Sequence, residues 1–182
     1  MVIIFEGLDK SGKTMLSTLL QSVMPTSLMI RKTYNQNLYP INYSIASEYD
    51  WQAILDRVIL PNPKATFIAD RSFFTQTVYQ MCLGVGVHAI TESQFNMFEN
   101  YCKVLKEIPH LVVYCYSAKY ELDSMVTNLQ VKYNLDKLFI ETIEKSGLNH
   151  MSIDMDRATM AQKLRMIQDK INTICPPYNM PQ

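Results

Sequence analysis

Gly7-Leu8-Asp9-Lys10-Ser11-Gly12-Lys13-Thr14 satisfies the pattern G-x-x-x-x-G-K-[ST] at every fixed position. The string demands a particular neighbourhood. Its glycines let backbone N–H groups turn inward around phosphates, and the next helix must aim its positive N-terminus at them. A strand is therefore needed before the loop and a helix after it. Residues 2–5 are wholly apolar and 13–24 read as helical, so both are in place.

The rest of the chain repeats that alternation. Short β-rich runs fall at 2–5, 27–30, 65–69, 111–116 and, more weakly, 151–153. Helical stretches lie at 13–24, 41–60, 72–83, 91–107, 121–128, 135–145 and 157–174. Pro61 and Pro63 end the second helix, and Thr91 with Gln94 suits a capping box at the start of the fourth. Gly84-Val85-Gly86 suits a helix C-terminal turn, and 176–182 cannot continue a helix. The expected class is α/β, a five-stranded parallel sheet flanked by helices on both faces. With 182 residues, one domain over 1–182 accounts for the chain.

Within the loop, Lys13 is placed to reach the β- and γ-phosphates of ATP, and Thr14 to offer its hydroxyl to magnesium. Asp9, Lys10, Ser11 and Gly12 complete the ATP-binding stretch. A carboxylate beside a polyanion is repulsive unless it meets magnesium or a sugar hydroxyl, which gives Asp9 one of those tasks. Lys10 adds a second cation for charge that develops on the transferred phosphoryl group.

A second constellation follows the third strand. Asp70-Arg71-Ser72 stands where ligands bind in open α/β sheets, at a strand's carboxyl end. Asp70 there suits magnesium through water, and Arg71 suits a phosphate gripped by two N–H groups. The same pair also fits a plain helix start, Asp70 as cap and Arg71 paired outward. Gln76, Tyr79 and Gln80 share one helical face, polar enough to read a base or sugar.

Composition removes other classes. Lys+Arg and Asp+Glu each number 17, so the clustered positive charge of a nucleic-acid binder is missing. No apolar stretch reaches the roughly 20 residues that span a bilayer, so no membrane partner is expected. Cys82, Cys102, Cys115 and Cys175 lack metal-ligand spacing and read as free thiols in a cytoplasmic, reducing compartment. His88, His110 and His150 likewise have no spaced ligand partners.

Phe5-Glu6-Gly7-Leu8-Asp9-Lys10-Ser11-Gly12-Lys13-Thr14 resembles the F-E-G-x-D-x-x-G-K-[ST] opening of the thymidylate kinase family. Asp70-Arg71-Ser72 with Tyr79-Gln80 is similar to its D-R-[YHS]…A-Y-Q segment, and Ile54-Leu55-Asp56-Arg57 to its L-F-x-x-D-R helix. The likeness covers about the first half of the chain. The second half agrees in layout, through His110-Leu111-Val112-Val113-Tyr114 and Ile153-Asp154. The resemblance implies the P-loop kinase fold and an ATP- and magnesium-dependent phosphotransferase that acts on thymidine monophosphate or a related deoxynucleoside monophosphate. It also implies that Asp9 meets the acceptor's 3′-hydroxyl and magnesium, and that Arg71 holds the acceptor phosphate. Arg57 would bond the thymine edge, Gln76 would contact the base, and Tyr79 would crowd a ribose 2′-hydroxyl. Homodimers are common in that family.

Two departures stand out. Ala53 replaces a phenylalanine that stacks on the base in the family, with Trp51 the nearest aromatic, about 200° around the helix. The segment 117–131 contains Lys119 and no arginine, which leaves Lys10 as the substitute for a lid arginine; after the second strand, Arg31 or Lys32 stands in for a missing acceptor loop. Three alternatives remain open. A deoxynucleoside kinase would use Glu6 as base on a 5′-hydroxyl. A broad deoxynucleoside monophosphate kinase would follow from Ala53. A nucleotide-binding regulatory protein without turnover would follow from the arginine-free lid.

Overall fold

The structure, a computed structural model, describes residues 1–31, 50–83, 90–119 and 128–176. Five strands form one parallel sheet: β1 (Val2–Glu6), β2 (Leu28–Arg31), β3 (Phe67–Asp70), β4 (His110–Tyr116) and β5 (His150–Asp154), in the order β2-β3-β1-β4-β5. The helices are α1 (Lys13–Val23), α2 (Phe73–Leu83), α3 (Glu92–Lys106), α4 (Leu129–Ser146) and α5 (Met160–Ile174). Residues 50–54 are helical and pass into a π-helical turn, Leu55–Ile59, where the Leu60 N–H donates to the Leu55 carbonyl at 2.9 Å. Helix 121–128 up to its last residue, the start of helix 41–60, the turn at 84–86 and the tail from 177 lie outside the described residues.

The central strand explains the layering. Successive side chains on a strand point to opposite faces, and all five residues of β1 are buried. Val2 and Ile4 join a core with Trp51, Phe67, Phe73, Phe98, Tyr114 and Phe139. Ile3 and Phe5 join another with Leu16, Leu20, Val113, Ile153 and Ile167. The α/β sandwich with helices on both faces is thus the one expected from the sequence. β1 sits at the centre and pairs in parallel with β3 (Phe5↔Asp70) and with β4 (Glu6↔Tyr114). The connection from β1 runs to β2 on one side and that from β3 to β4 on the other, which opens a crevice between the carboxyl ends of β1 and β3.

Element boundaries moved for local reasons. The expected helix 135–145 begins at Leu129, because the Asn128 side chain accepts from the Val131 N–H at 2.9 Å and caps it. The last helix begins at Met160, not at 157: Ala158 holds φ 62°, and the Thr159 side chain caps the Gln162 N–H. The capping box at Thr91 is present, with Thr91 Oγ1 accepting from the Gln94 N–H at 3.2 Å and Gln94 Oε1 from the Thr91 N–H at 2.9 Å. Thr91→Ala should therefore cost about 1 kcal/mol of stability, read as a lower urea midpoint at unchanged slope.

Candidate functional site

The loop between β1 and α1 is shaped by its glycines. Gly7 has φ 141°, and a Cβ built there would stand 2.2 Å from the Cys115 carbonyl oxygen. Gly12 is left-handed at φ 83° and is the N-cap of α1 without a side-chain cap. No acidic residue occupies the helix's first turn, so its positive end is left for an anion.

Lys13 folds back over the loop. Its Nζ donates to the Leu8 carbonyl at 2.9 Å and lies 3.9 Å from Asp9 Oδ1. The residue is only 4% exposed, and burial pulls its pKa below the usual lysine range, with Asp70 and Glu6 opposing that shift. Thr14 is exposed beside it. Lys10, Gly12, Lys13, Thr14 and Arg31 line part of a concavity of about 580 Å³ along α1.

The register of β1 with β3 brings the second constellation to the same place. Arg71, in a left-handed conformation at φ 75°, donates its backbone N–H to the Phe5 carbonyl at 2.9 Å. Its Nη2 donates to Asp9 Oδ1 and its Nη1 to Thr75 Oγ1 at 3.3 Å. Glu6 is fully buried; Ser72 Oγ donates to its Oε1, and Thr75 Oγ1 donates to its Oε2 at 2.5 Å. Burial pushes the Glu6 carboxyl above its ordinary range, against the two hydroxyl donors, Arg71 and Lys13. Asp70 Oδ2 lies 4.0 Å from Arg31 Nε, while Asp70 Oδ1 is buried with no hydrogen-bond partner among the described residues.

That orphaned oxygen suits magnesium, a hard cation that takes one or two carboxylates and completes its shell with water and phosphate. No group of three or more His, Cys, Asp or Glu gathers among the described residues, and magnesium with phosphates needs none.

Of the residues singled out in the sequence, Asp9, Lys13, Asp70 and Arg71 therefore converge. Lys10 and Thr14 line the adjoining concavity, and the Ser11 hydroxyl is buried in the loop. Gln76 is half-buried on α2; Tyr79, one turn on, sets its ring against Phe139 with centroids 6.2 Å apart. Arg57 lies on the π-helical turn, exposed, its side chain making no hydrogen bond or ion pair with a described residue. Trp51 is 1% exposed and packed edge-on against Phe73, so it offers no surface to a base. Lys119, considered for the lid, donates its backbone N–H to Asp156 Oδ2 at 3.2 Å. His110 is a core residue, its ring bonded to the Ile108 carbonyl and the Asn149 N–H.

Sequence reasoning missed Thr75 and the pairing of Ser72 with Glu6. The signal was available in Glu6 itself: a carboxylate closing a buried apolar strand requires donors, and hydroxyls stand at 72 and 75, just past the end of β3 and in the first turn of α2. It also missed Lys163, buried on α5, whose Nζ holds the Met155 and Ala158 carbonyls at 2.8 and 3.0 Å.

No family model matches the sequence, and no curated protein matches it. Solved structures do match. A thymidylate kinase from Ehrlichia chaffeensis is 16% identical at TM-score 0.64, covering 93% of this chain and 97% of its own. A deoxyadenosine kinase from M. mycoides, solved with dCMP and dCDP, is 12% identical at TM-score 0.62, covering 96% and 100%. A thymidylate kinase from Candida albicans is 16% identical at TM-score 0.59, covering 94% and 91%. The chain has the P-loop kinase fold. In that frame the loop 7–12, Arg71 and Asp70 occupy the crevice at the carboxyl ends of β1 and β3, where such a sheet binds its ligand. None of the described helices is long and apolar enough to cross a membrane.

Proposed function

We propose that this protein transfers the γ-phosphoryl group of ATP to a deoxynucleoside monophosphate, with thymidine monophosphate the preferred acceptor. The observation that carries this reading is the contrast between two carboxylates at the end of β1. Glu6, the base that a nucleoside kinase would need, is fully buried with a hydroxyl on each oxygen. Asp9 is half-exposed and holds the Arg71 guanidinium at the lip of the phosphate loop. A monophosphate acceptor brings an oxygen that is already anionic, so it needs a cation in the crevice and no strong base.

Transfer is in-line: the bond from the γ-phosphorus to the β–γ bridging oxygen breaks as one to the acceptor's 5′-phosphate oxygen forms. Lys13 and Lys10 neutralise the donor phosphates and Arg71 the acceptor's, so catalysis is positioning with charge stabilisation. The Thr14 hydroxyl and the Asp70 carboxylate are the oxygens that would hold magnesium, which when bound supplies further neutralisation at the β- and γ-phosphates. Asp9 is assigned to the acceptor's 3′-hydroxyl, Arg57 and Gln76 to the base, and Tyr79 to exclusion of a 2′-hydroxyl. Four free thiols support a reducing cytoplasm as the proposed location, and we expect a homodimer there.

A broader specificity is favoured by one observation: Ala53 is exposed while Trp51 is buried, so neither supplies an aromatic face for a base. Coupled ADP release with ATP and magnesium tests both. Selective turnover of thymidine monophosphate supports the main reading, and comparable turnover of several deoxynucleoside monophosphates the broader one. Turnover of thymidine alone would reinstate Glu6 as a base and overturn both. ATP binding with no turnover of any acceptor would leave a regulatory nucleotide binder.

A further inference from the structure

Resting on that reading, we infer that Thr75 is a positioning residue for Arg71, with its hydroxyl polarity fixed by Glu6. A hydroxyl has one proton to give and lone pairs to receive. Thr75 gives its proton to Glu6 Oε2 at 2.5 Å, which leaves its oxygen facing Arg71 Nη1 at 3.3 Å. A guanidinium only donates. The chain of bonds therefore has one direction, from Arg71 to Thr75 to Glu6.

The other end of the guanidinium is fixed independently, because Nη2 donates to Asp9 Oδ1. Arg71 is thus held at two nitrogens from two different elements, helix α2 and the phosphate loop. Ser72 takes the second oxygen of Glu6, so that carboxylate has no oxygen left with which to turn towards the crevice. Two-point fixation matters for an arginine, whose long side chain otherwise loses rotamer freedom only when ligand arrives. A guanidinium aimed in advance grips an acceptor phosphate at less entropic cost, and the gain falls on the acceptor and not on ATP.

Steady-state kinetics of three proteins tests this: wild type, Thr75→Val and Thr75→Ser. Thr75→Val keeps the shape and removes the relay, and should raise the KM for the monophosphate acceptor about tenfold or more. The KM for ATP should stay near wild type, while the thermal midpoint should fall, because the buried Glu6 Oε2 loses a donor. Thr75→Ser retains the hydroxyl and should restore most of the acceptor KM. If the valine variant does not fold, Thr75→Ala takes its place in the same measurement. An unchanged acceptor KM, an equal rise in both KM values, or failure of the serine to restore would each overturn the role of Thr75 alone. A wild-type chain that turns over no monophosphate would defeat the kinase reading, and this inference with it.

Discussion

Replacing Lys13 by methionine should lower turnover about 10²- to 10³-fold while the chain remains folded, the scale seen when one preorganised donor to transition-state charge is lost. Lys13 is nearly buried, and burial disfavours its charge, with Asp70 and Glu6 opposing that shift. A cation kept dry and aimed in this way is stronger towards phosphate than one in water, because little solvent screens it. Methionine matches the length of the stem and fills the same space. The fold need not suffer, since the methionine also removes the cost of burying the charge. Coupled ADP release reads the first effect, and circular dichroism with ATP-binding calorimetry reads the second. Wild-type turnover would show that Lys13 stays on the Leu8 carbonyl during the reaction and serves the loop's shape alone.

The second large effect falls on stability. Gly7→Ala should cost about 3–5 kcal/mol, a sizeable part of the 5–15 kcal/mol typical of a domain. Two causes add. At φ 141° an L-residue is strained, and its Cβ would stand 2.2 Å from the Cys115 carbonyl oxygen, a backbone atom of β4 that cannot swing aside. Relief would require the loop to move off the sheet, so ATP affinity should fall together with the urea midpoint. The same change at Gly12 meets the end of the flexible Met155 side chain, at 2.8 Å from Cε, although φ 83° still penalises it. Gly7→Ala at wild-type stability would show that the strand end yields, contrary to the packing of β1 against β4.

Much of this was legible in the chain. The phosphate loop was complete in eight consecutive residues, because its chemistry is local: backbone N–H groups, one lysine and one hydroxyl at fixed spacing. The strands were legible because a sheet covered on both faces requires unbroken apolar runs. Boundaries were less so. Asn128 closes one pattern and opens another equally well in sequence, and only its bond to the Val131 N–H shows that it begins a helix. The surroundings of Trp51 were not legible either. Its position about 200° from Ala53 already turned it from the base, but Phe73, which closes it off, is brought to it only by the packed core.

By itself, then, the sequence determined an α/β chain with a phosphate loop and a nearby acid–arginine pair, since each is written in residues close together. The tertiary structure decided which carboxylate serves which cation. Arg71 meets Asp9 across 62 positions and Thr75 meets Glu6 across 69, and neither pairing has a local signature. Both follow from the parallel register that sets Phe5 opposite Asp70. Because side chains alternate between the two cores, a slip of one residue would carry Glu6 and Arg71 to different faces, so burial of β1 fixes the register and the register assembles the site.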